Sequence, residues 1–175
     1  MRLYTLSREG KELTLIIFQK GDIFPISFGI GSENNFRGQN YFLESIGKSE
    51  LRRASKVKFL KFIRSDSEIL FELTTRLSQR LLGLMVRMES FVFGDAYSRV
   101  ASIILVCAQR FGRTSEKGLV IEMPLTHSDL ASLIGVARET VSVEIKKLER
   151  AGFIGYRGRF LVVLNERKLK GVAAG

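Results

Sequence analysis

Residues 125–154 read LTHSDLASLIGVARETVSVEIKKLERAGFI, and this stretch decides the fold. Thr126-His127-Ser128-Asp129 opens it as a capping box, with Thr126 at the N-cap and Asp129 near the positive end of the helix dipole. The spacing predicts a first helix over Ser128–Ile134, stopped by Gly135, and a second from about Ala137 to Arg150, ended by Ala151-Gly152. Ala131 is small where two helices must approach closely, and Gly135 supplies the positive φ of a sharp turn. Leu130, Ile134, Val136, Val141, Ile145 and Leu148 supply the faces to be buried. A small residue, a turn glycine four later and an apolar residue six after that is helix-turn-helix spacing.

The residues that follow sharpen the reading. Phe153 to Tyr156 and Arg159 to Leu164 alternate as two strands around Arg157-Gly158, a tight hairpin directly after the second helix. A helix-turn-helix with such a hairpin is a winged helix-turn-helix. Upstream, Gly118 to Met123 reads as a short strand, after a polar segment over Gly112 to Glu116. Ala96 to Phe111 reads as a helix capped by Asp95 and ended by Gly112.

Farther upstream, residues 67–93 read as one long helix, broken by Gly94-Asp95. Leu70, Leu73, Leu77, Leu81, Leu84, Met88 and Phe91 recur at steps of three or four, an apolar stripe that suits a dimer seam. Arg80 and Arg87 fall at strict heptad positions, so a simple two-stranded zipper fits poorly. Residues 1–66 look like strands: Arg2 to Leu6 and Glu12 to Phe18 around the turn Ser7 to Lys11, a second turn at Lys20-Gly21-Asp22, then Phe42 to Ile46 and Lys56 to Phe62. Three zones result: a strand-rich zone over 1–66, a long helix over 67–93, and a winged helix-turn-helix domain over 94–175.

Composition narrows the function. The chain has 175 residues, 45 % of them hydrophobic and 26 % charged, with a net charge of +10. That charge attracts polyanions by counterion release. It is spread along the chain, with nine Lys/Arg against five Asp/Glu in residues 124–175 and twelve against seven in residues 1–66, so it does not by itself locate a site. One cysteine, Cys107, and one histidine argue against a disulfide, a zinc site or a cysteine-held cluster. Cys107 lies mid-helix among Leu105, Val106 and Ala108, as a buried inert thiol would. No nucleophile–base pair, carboxylate pair or phosphate-binding glycine loop is evident, so an enzyme is not expected. No stretch reads as a membrane span or signal peptide, and a cytoplasmic location is expected.

The stretch 125–154 resembles the cyclic-AMP receptor protein/FNR (Crp/Fnr) family of bacterial transcription regulators, above all through Gly135, Arg138-Glu139-Thr140-Val141 and Leu148-Glu149. The long helix and the following Asp95-Ala96-Tyr97-Ser98-Arg99-Val100-Ala101 are similar to the family's dimer helix and the start of its DNA-binding domain. Leu3-Tyr4 through Gly21-Asp22 resemble later strands of its β-roll sensor. The resemblance implies an α+β chain with a cyclic-nucleotide-binding-like β-roll, a dimerisation helix and a C-terminal winged helix-turn-helix. It also implies further sensor strands ahead of the first residue, so the roll is expected to be incomplete, with strand edges exposed.

The N-terminal turn of the second helix is expected to enter a major groove. Arg138, Glu139, Ser142 and Val143 are the expected base contacts: Arg138 toward guanine O6 and N7, Glu139 toward cytosine N4, Val143 toward a thymine methyl. Many family members carry an Arg at the position of Val143, so a related but different half-site is expected. Thr126, His127, Ser128, Thr140, Lys146, Arg157 and Arg159 are the expected phosphate contacts. The implied partners are double-stranded DNA, a second copy of the chain and RNA polymerase, with no membrane. No cofactor is predicted and the effector is unknown. The family's cyclic-AMP binders use a Glu and an Arg-Ser pair, where this chain has Ile26 and Gln39-Asn40 with Arg37 nearby, so cyclic AMP is not expected in this pocket. The competing reading is a winged helix that binds protein and meets DNA without sequence preference.

Overall fold

The computed structural model describes residues 1–24 and 40–174. β1 (Arg2–Leu6) and β2 (Glu12–Ile17) form the expected antiparallel hairpin. Its turn is held by the Ser7 hydroxyl, which accepts from the backbone N–H groups of Glu9 and Lys11. β3 (Tyr41–Glu44) pairs with the other side of β1, giving the order β2-β1-β3. At the Lys20-Gly21-Asp22 turn the Asp22 carboxylate accepts from Gln19 N at 2.8 Å and meets Arg80 at 2.7 Å.

The segment expected as a strand at Lys56 to Phe62 is instead a helix, α1 (Lys56–Arg64). The alternation of Val57 and Phe59 reads as a strand, but the Ser55 hydroxyl caps Lys58 N and the backbone closes into turns. The helix buries Ile63 and half-buries Phe59 and Leu60 while leaving Val57 and Phe62 exposed, an i, i+1, i+4 face. Packing of that face overrides the period-two pattern.

α2 (Ser67–Phe93) has the expected limits and is capped by the Asp66 side chain. Its 27 residues span roughly 40 Å. The apolar stripe divides between two sides. Leu73 is buried beside Ile63 of α1, and Phe91 packs on the core, whereas Leu81 and Met88 are 60 % and 66 % exposed. Leu70 and Leu84 are exposed and Leu77 is half-buried. Arg80 and Arg87 point into the chain's own body, so neither interrupts the outward face. That face carries Leu81, Met85, Met88 and Val92 at steps of four, three and four. α2 ends at Gly94, where a Cβ would lie 2.7 Å from Ser90 O and 2.8 Å from Ser98 Oγ, so close approach rather than positive φ requires glycine.

α3 (Ala96–Phe111) is capped by Asp95, as expected. Burial is most complete around it: Val100, Ile103 and Ile104 are at most 1 % exposed, and Cys107 is buried with them. β4 (Gly112–Ser115), β5 (Gly118–Ile121), β6 (Ile154–Arg157) and β7 (Phe160–Val163) make a second antiparallel sheet in the order β4-β5-β7-β6. β4 reads as a polar connection because Gly-Arg-Thr-Ser has no apolar alternation; backbone pairing with β5 makes it a strand. A further helix, α6 (Glu166–Ala173), was not expected from the sequence. Its signal is Asn165, whose side chain caps Lys168 N, with Glu166 in the first turn. Leu169 anchors it, fully buried in the core.

Candidate nucleic-acid interface

α4 (His127–Ile134) starts with the expected capping box: Asp129 accepts from Thr126 N at 2.8 Å, and Asp129 N donates to Thr126 Oγ1 at 3.1 Å. Gly135 is left-handed, at φ 66°, and ends the helix by donating to Ala131 O. α5 (Arg138–Arg150) follows at once. Leu130, Ile134, Val141, Ile145 and Leu148 are all buried, and together they fix the crossing of the two helices. Val136 is half-buried against the same core.

This packing decides what α5 presents outward. Arg138, Glu139, Val143 and Lys146 are exposed on one side, while Thr140 is half-buried. Neither Arg138 nor Glu139 is in an ion pair among the described residues, so both functional ends are free. Ala137, the N-cap of α5, provides no side-chain bond to the first turn, leaving its N–H groups to external acceptors. The Ser142 hydroxyl is less free than the sequence implies. It donates to Arg138 O at 3.0 Å and meets His127 Nδ1 at 2.8 Å.

The wing flanks this surface. β6 and β7 pair from Ile154↔Val163 to Arg157↔Phe160, and Gly158 turns the tip at φ 60°. Arg157 and Arg159 are exposed there, and the Arg159 guanidinium lies over the Phe160 ring at 5.4 Å. Thr126 and Ser128 are exposed at the start of α4 and His127 is half-buried. Tyr156 of β6 was not singled out from the sequence, although its place in the wing alternation exposes it beside His127. Its hydroxyl lies 3.5 Å from His127 Nε2. Burial and the nearby Glu149 carboxylate push the Tyr156 phenol up from its ordinary value.

The rest of the chain positions this surface. β2 packs on α4, where Thr14 Oγ1 meets Ser132 Oγ at 2.7 Å. Arg87 of α2 joins three elements: it donates to Thr14 O and Leu15 O at 2.8 Å and to Leu133 O of α4 at 2.6 Å. Nothing in the sequence singled out Arg87 for this. At the end of α2 the Arg99 side chain donates to the carbonyls of Ser90, Phe91 and Gly94. No group of His, Cys, Asp and Glu suited to a metal occurs among the described residues, and none of their helices is long and apolar enough to cross a membrane. Of the expected sensor residues, Ile26, Arg37 and Gln39 lie outside the described residues; the Asn40 carbonyl accepts from Thr5 Oγ1.

Comparison with known proteins agrees with this geometry. The family profile of the Crp-like helix-turn-helix domain matches residues 98–172. The chain is 26 % identical over 160 residues to the cAMP-activated global transcriptional regulator Vfr of Pseudomonas aeruginosa, covering 91 % of this chain and 74 % of that protein. It is 29 % identical to the cAMP-activated global transcriptional regulator CRP of Haemophilus influenzae, covering 91 % of this chain and 69 % of that one. Among solved structures, a CRP/FNR-family regulator of Thermus thermophilus superposes with a TM-score of 0.66 at 26 % identity, over 99 % of this chain and 83 % of that one. Another CRP-family regulator of the same organism reaches 0.71 at 20 % identity with the same coverage. Regulators of this family bind DNA and act as dimers. The capped helix pair, the wing and these likenesses together make residues 98–172 a Crp-like helix-turn-helix domain, in a chain similar to DNA-binding transcription regulators of the Crp/Fnr family.

Proposed function

We propose that two copies of the chain associate along the outward face of α2 and set their α5 helices into successive major grooves of a palindromic operator. Half-sites then lie about one helical turn, roughly 34 Å, apart. The observation that carries this reading is the outward row Arg138, Glu139, Val143 and Lys146 on α5, flanked by Arg157 and Arg159 of the wing. Arg138 reads a guanine, Glu139 a cytosine amine and Val143 a thymine methyl. Ser142 sits at the base-facing edge. Thr126, His127, Ser128, Thr140, Lys146, Arg157 and Arg159 hold phosphates and so set register without reading sequence.

In this reading residues 1–66 form the sensor, 67–93 the dimer helix and 94–175 the DNA-binding domain. The regulator works in the cytoplasm and contacts RNA polymerase at promoters. Vfr and CRP, named above, are cAMP-activated, but Ile26 cannot accept a ribose hydroxyl, and Gln39-Asn40, with Arg37 nearby, stand where the phosphate-binding Arg-Ser pair is expected, which supports a different effector. Selection from a random duplex pool, run in parallel for wild type and Arg138→Ala, tests the proposal. The expected result is a two-half-site palindrome whose G·C preference weakens in the variant, by about 1–3 kcal/mol at the contacted pair. Failure of a folded dimer to enrich any sequence, with and without cyclic AMP, refutes it.

A further inference from the structure

His127 is the only histidine of the chain, and it bridges three elements of the interface. Its Nδ1 lies 2.8 Å from Ser142 Oγ on α5 and its Nε2 3.5 Å from Tyr156 OH on the wing. The Ser142 proton is already directed at Arg138 O, 3.0 Å away. With the proton so placed, the Ser142 oxygen is left as an acceptor for an Nδ1–H of His127. Nε2 is then the atom that gains or loses the ring's second proton. It opens toward the Tyr156 hydroxyl across a gap at the limit of hydrogen bonding. The ring is half-buried and Tyr156 is 42 % exposed, so an incoming oxygen can reach between them.

We propose that DNA binding by this chain takes up one proton per subunit at His127 Nε2, where the imidazolium and the Tyr156 hydroxyl together clasp one backbone phosphate. The inference rests on the DNA-reading orientation of α5 proposed above. In the neutral ring Nε2 presents a lone pair, which repels a phosphate oxygen. In the protonated ring it presents an N–H, while Nδ1–H keeps its bond to Ser142. The switch therefore keeps the Ser142 contact and turns the Tyr156 hydroxyl from the ring lone pair to the phosphate. Tyr156 remains a donor throughout the neutral range, because burial and Glu149 favour its protonated form. The charged groups on the elements that meet the ring include Asp129 on its own helix, tied up in the capping box, Arg138, Glu139, Lys146 and Glu149 on α5, and Arg157 on the wing. None of these side chains hydrogen-bonds the imidazole.

The sign follows from linkage. A phosphate favours the charged ring, so the complex binds the proton more tightly than the free protein does. Affinity is greatest at low pH and falls as pH rises through the titration of the bound form. Imidazole is the side chain that titrates in this range, and no second histidine confuses the reading.

The test is fluorescence anisotropy of the full chain on the duplex enriched from the random pool, at constant salt, from about pH 5.5 to 8.5. The association constant per subunit should fall by up to about tenfold per pH unit. A shuffled duplex should show the same dependence, because phosphate contact carries no sequence information. His127→Gln should remove the dependence and, at low pH, reduce the magnitude of the salt slope by about one per subunit. Tyr156→Phe should weaken binding but keep the pH dependence. Nuclear magnetic resonance of the single imidazole in the wild type needs no variant: its titration midpoint should move to higher pH when duplex is added. A pH-independent affinity, a His127→Gln protein that keeps the dependence, or a midpoint unmoved by duplex overturns the proposal while leaving α5 as the reading helix. Absence of binding to any duplex at any pH overturns both.

Discussion

Replacing Arg87 by Met removes the guanidinium that ties β2 to α4 while keeping much of the aliphatic stem. Three hydrogen bonds are lost, to Thr14 O, Leu15 O and Leu133 O. Bonds from a charged donor contribute about 1.5–3 kcal/mol each, so the gross loss is about 4.5–9 kcal/mol. The opposing effect is desolvation. Arg87 is only 8 % exposed and has no carboxylate partner among the described residues, and burial pulls its pKa below the ordinary arginine value. A buried ion costs several kcal/mol, and that cost disappears with the charge. The bonds win, because Leu133 O is one of the last carbonyls of α4 and has no following turn to satisfy it. The net destabilisation should be about 2–4 kcal/mol, a large part of the stability of an ordinary domain. Urea denaturation at a fixed protein concentration measures it, and hydrogen exchange locates it. The α4 amides should exchange faster in Arg87→Met by more than those of α6. A double-mutant cycle with Ser132→Ala should show coupling of at least about 0.5 kcal/mol, since Thr14 contacts both partners. A loss below about 1 kcal/mol, with α4 exchange unchanged, would show that desolvation cancels the bonds and that Arg87 is no brace.

Three other outcomes are expected. Met88→Lys places a charge on the outward face of α2, where Met88 is 66 % exposed in the single chain; sedimentation should show the dimer shifting toward monomer, and an unchanged association constant would remove this face as the seam. Cys107, fully enclosed and with its thiol pushed up to about 12 by burial, should resist thiol reagents in the native protein and react only after denaturation; rapid stoichiometric labelling would contradict the packing of α3. Asp95→Ala should cost about 1 kcal/mol at neutral pH by removing the cap of α3. Bonds from Ser98 hold the Asp95 carboxylate below its ordinary value, so its contribution is present above the unfolded value and lost as pH falls through the folded one. The difference between wild type and variant should therefore shrink in acid, and a gap that persists at the lowest accessible pH would count against the cap.

Local signals were legible wherever the chain itself imposes them. The Thr126–Asp129 capping box, the left-handed Gly135, the Asp95 cap and the limits of α2 all follow from bonds within one helical turn or from backbone sterics. The readings that went astray share a cause. Lys56 to Phe62 alternates like a strand, yet the half-buried and buried positions Phe59, Leu60 and Ile63 are chosen by contact with α2. β4 has no apolar pattern because its strand character comes from pairing with β5, and α6 is short, with Leu169 as its one fully buried anchor.

The same division runs through the interface. Residue order alone determined that Arg138, Glu139, Val143 and Lys146 share the outer face of a helix, because a period of 3.6 leaves no other arrangement once Val141, Ile145 and Leu148 are buried. Folding in three dimensions decided which side of the long helix Arg80 and Arg87 occupy, and thus which apolar residues remain outward. It also brought Tyr156 and Ser142 to the two nitrogens of His127, across separations of 29 and 15 residues. Periodicity reports which residues lie on a common face; what that face meets depends on contacts between segments distant in the chain, where no local rule acts.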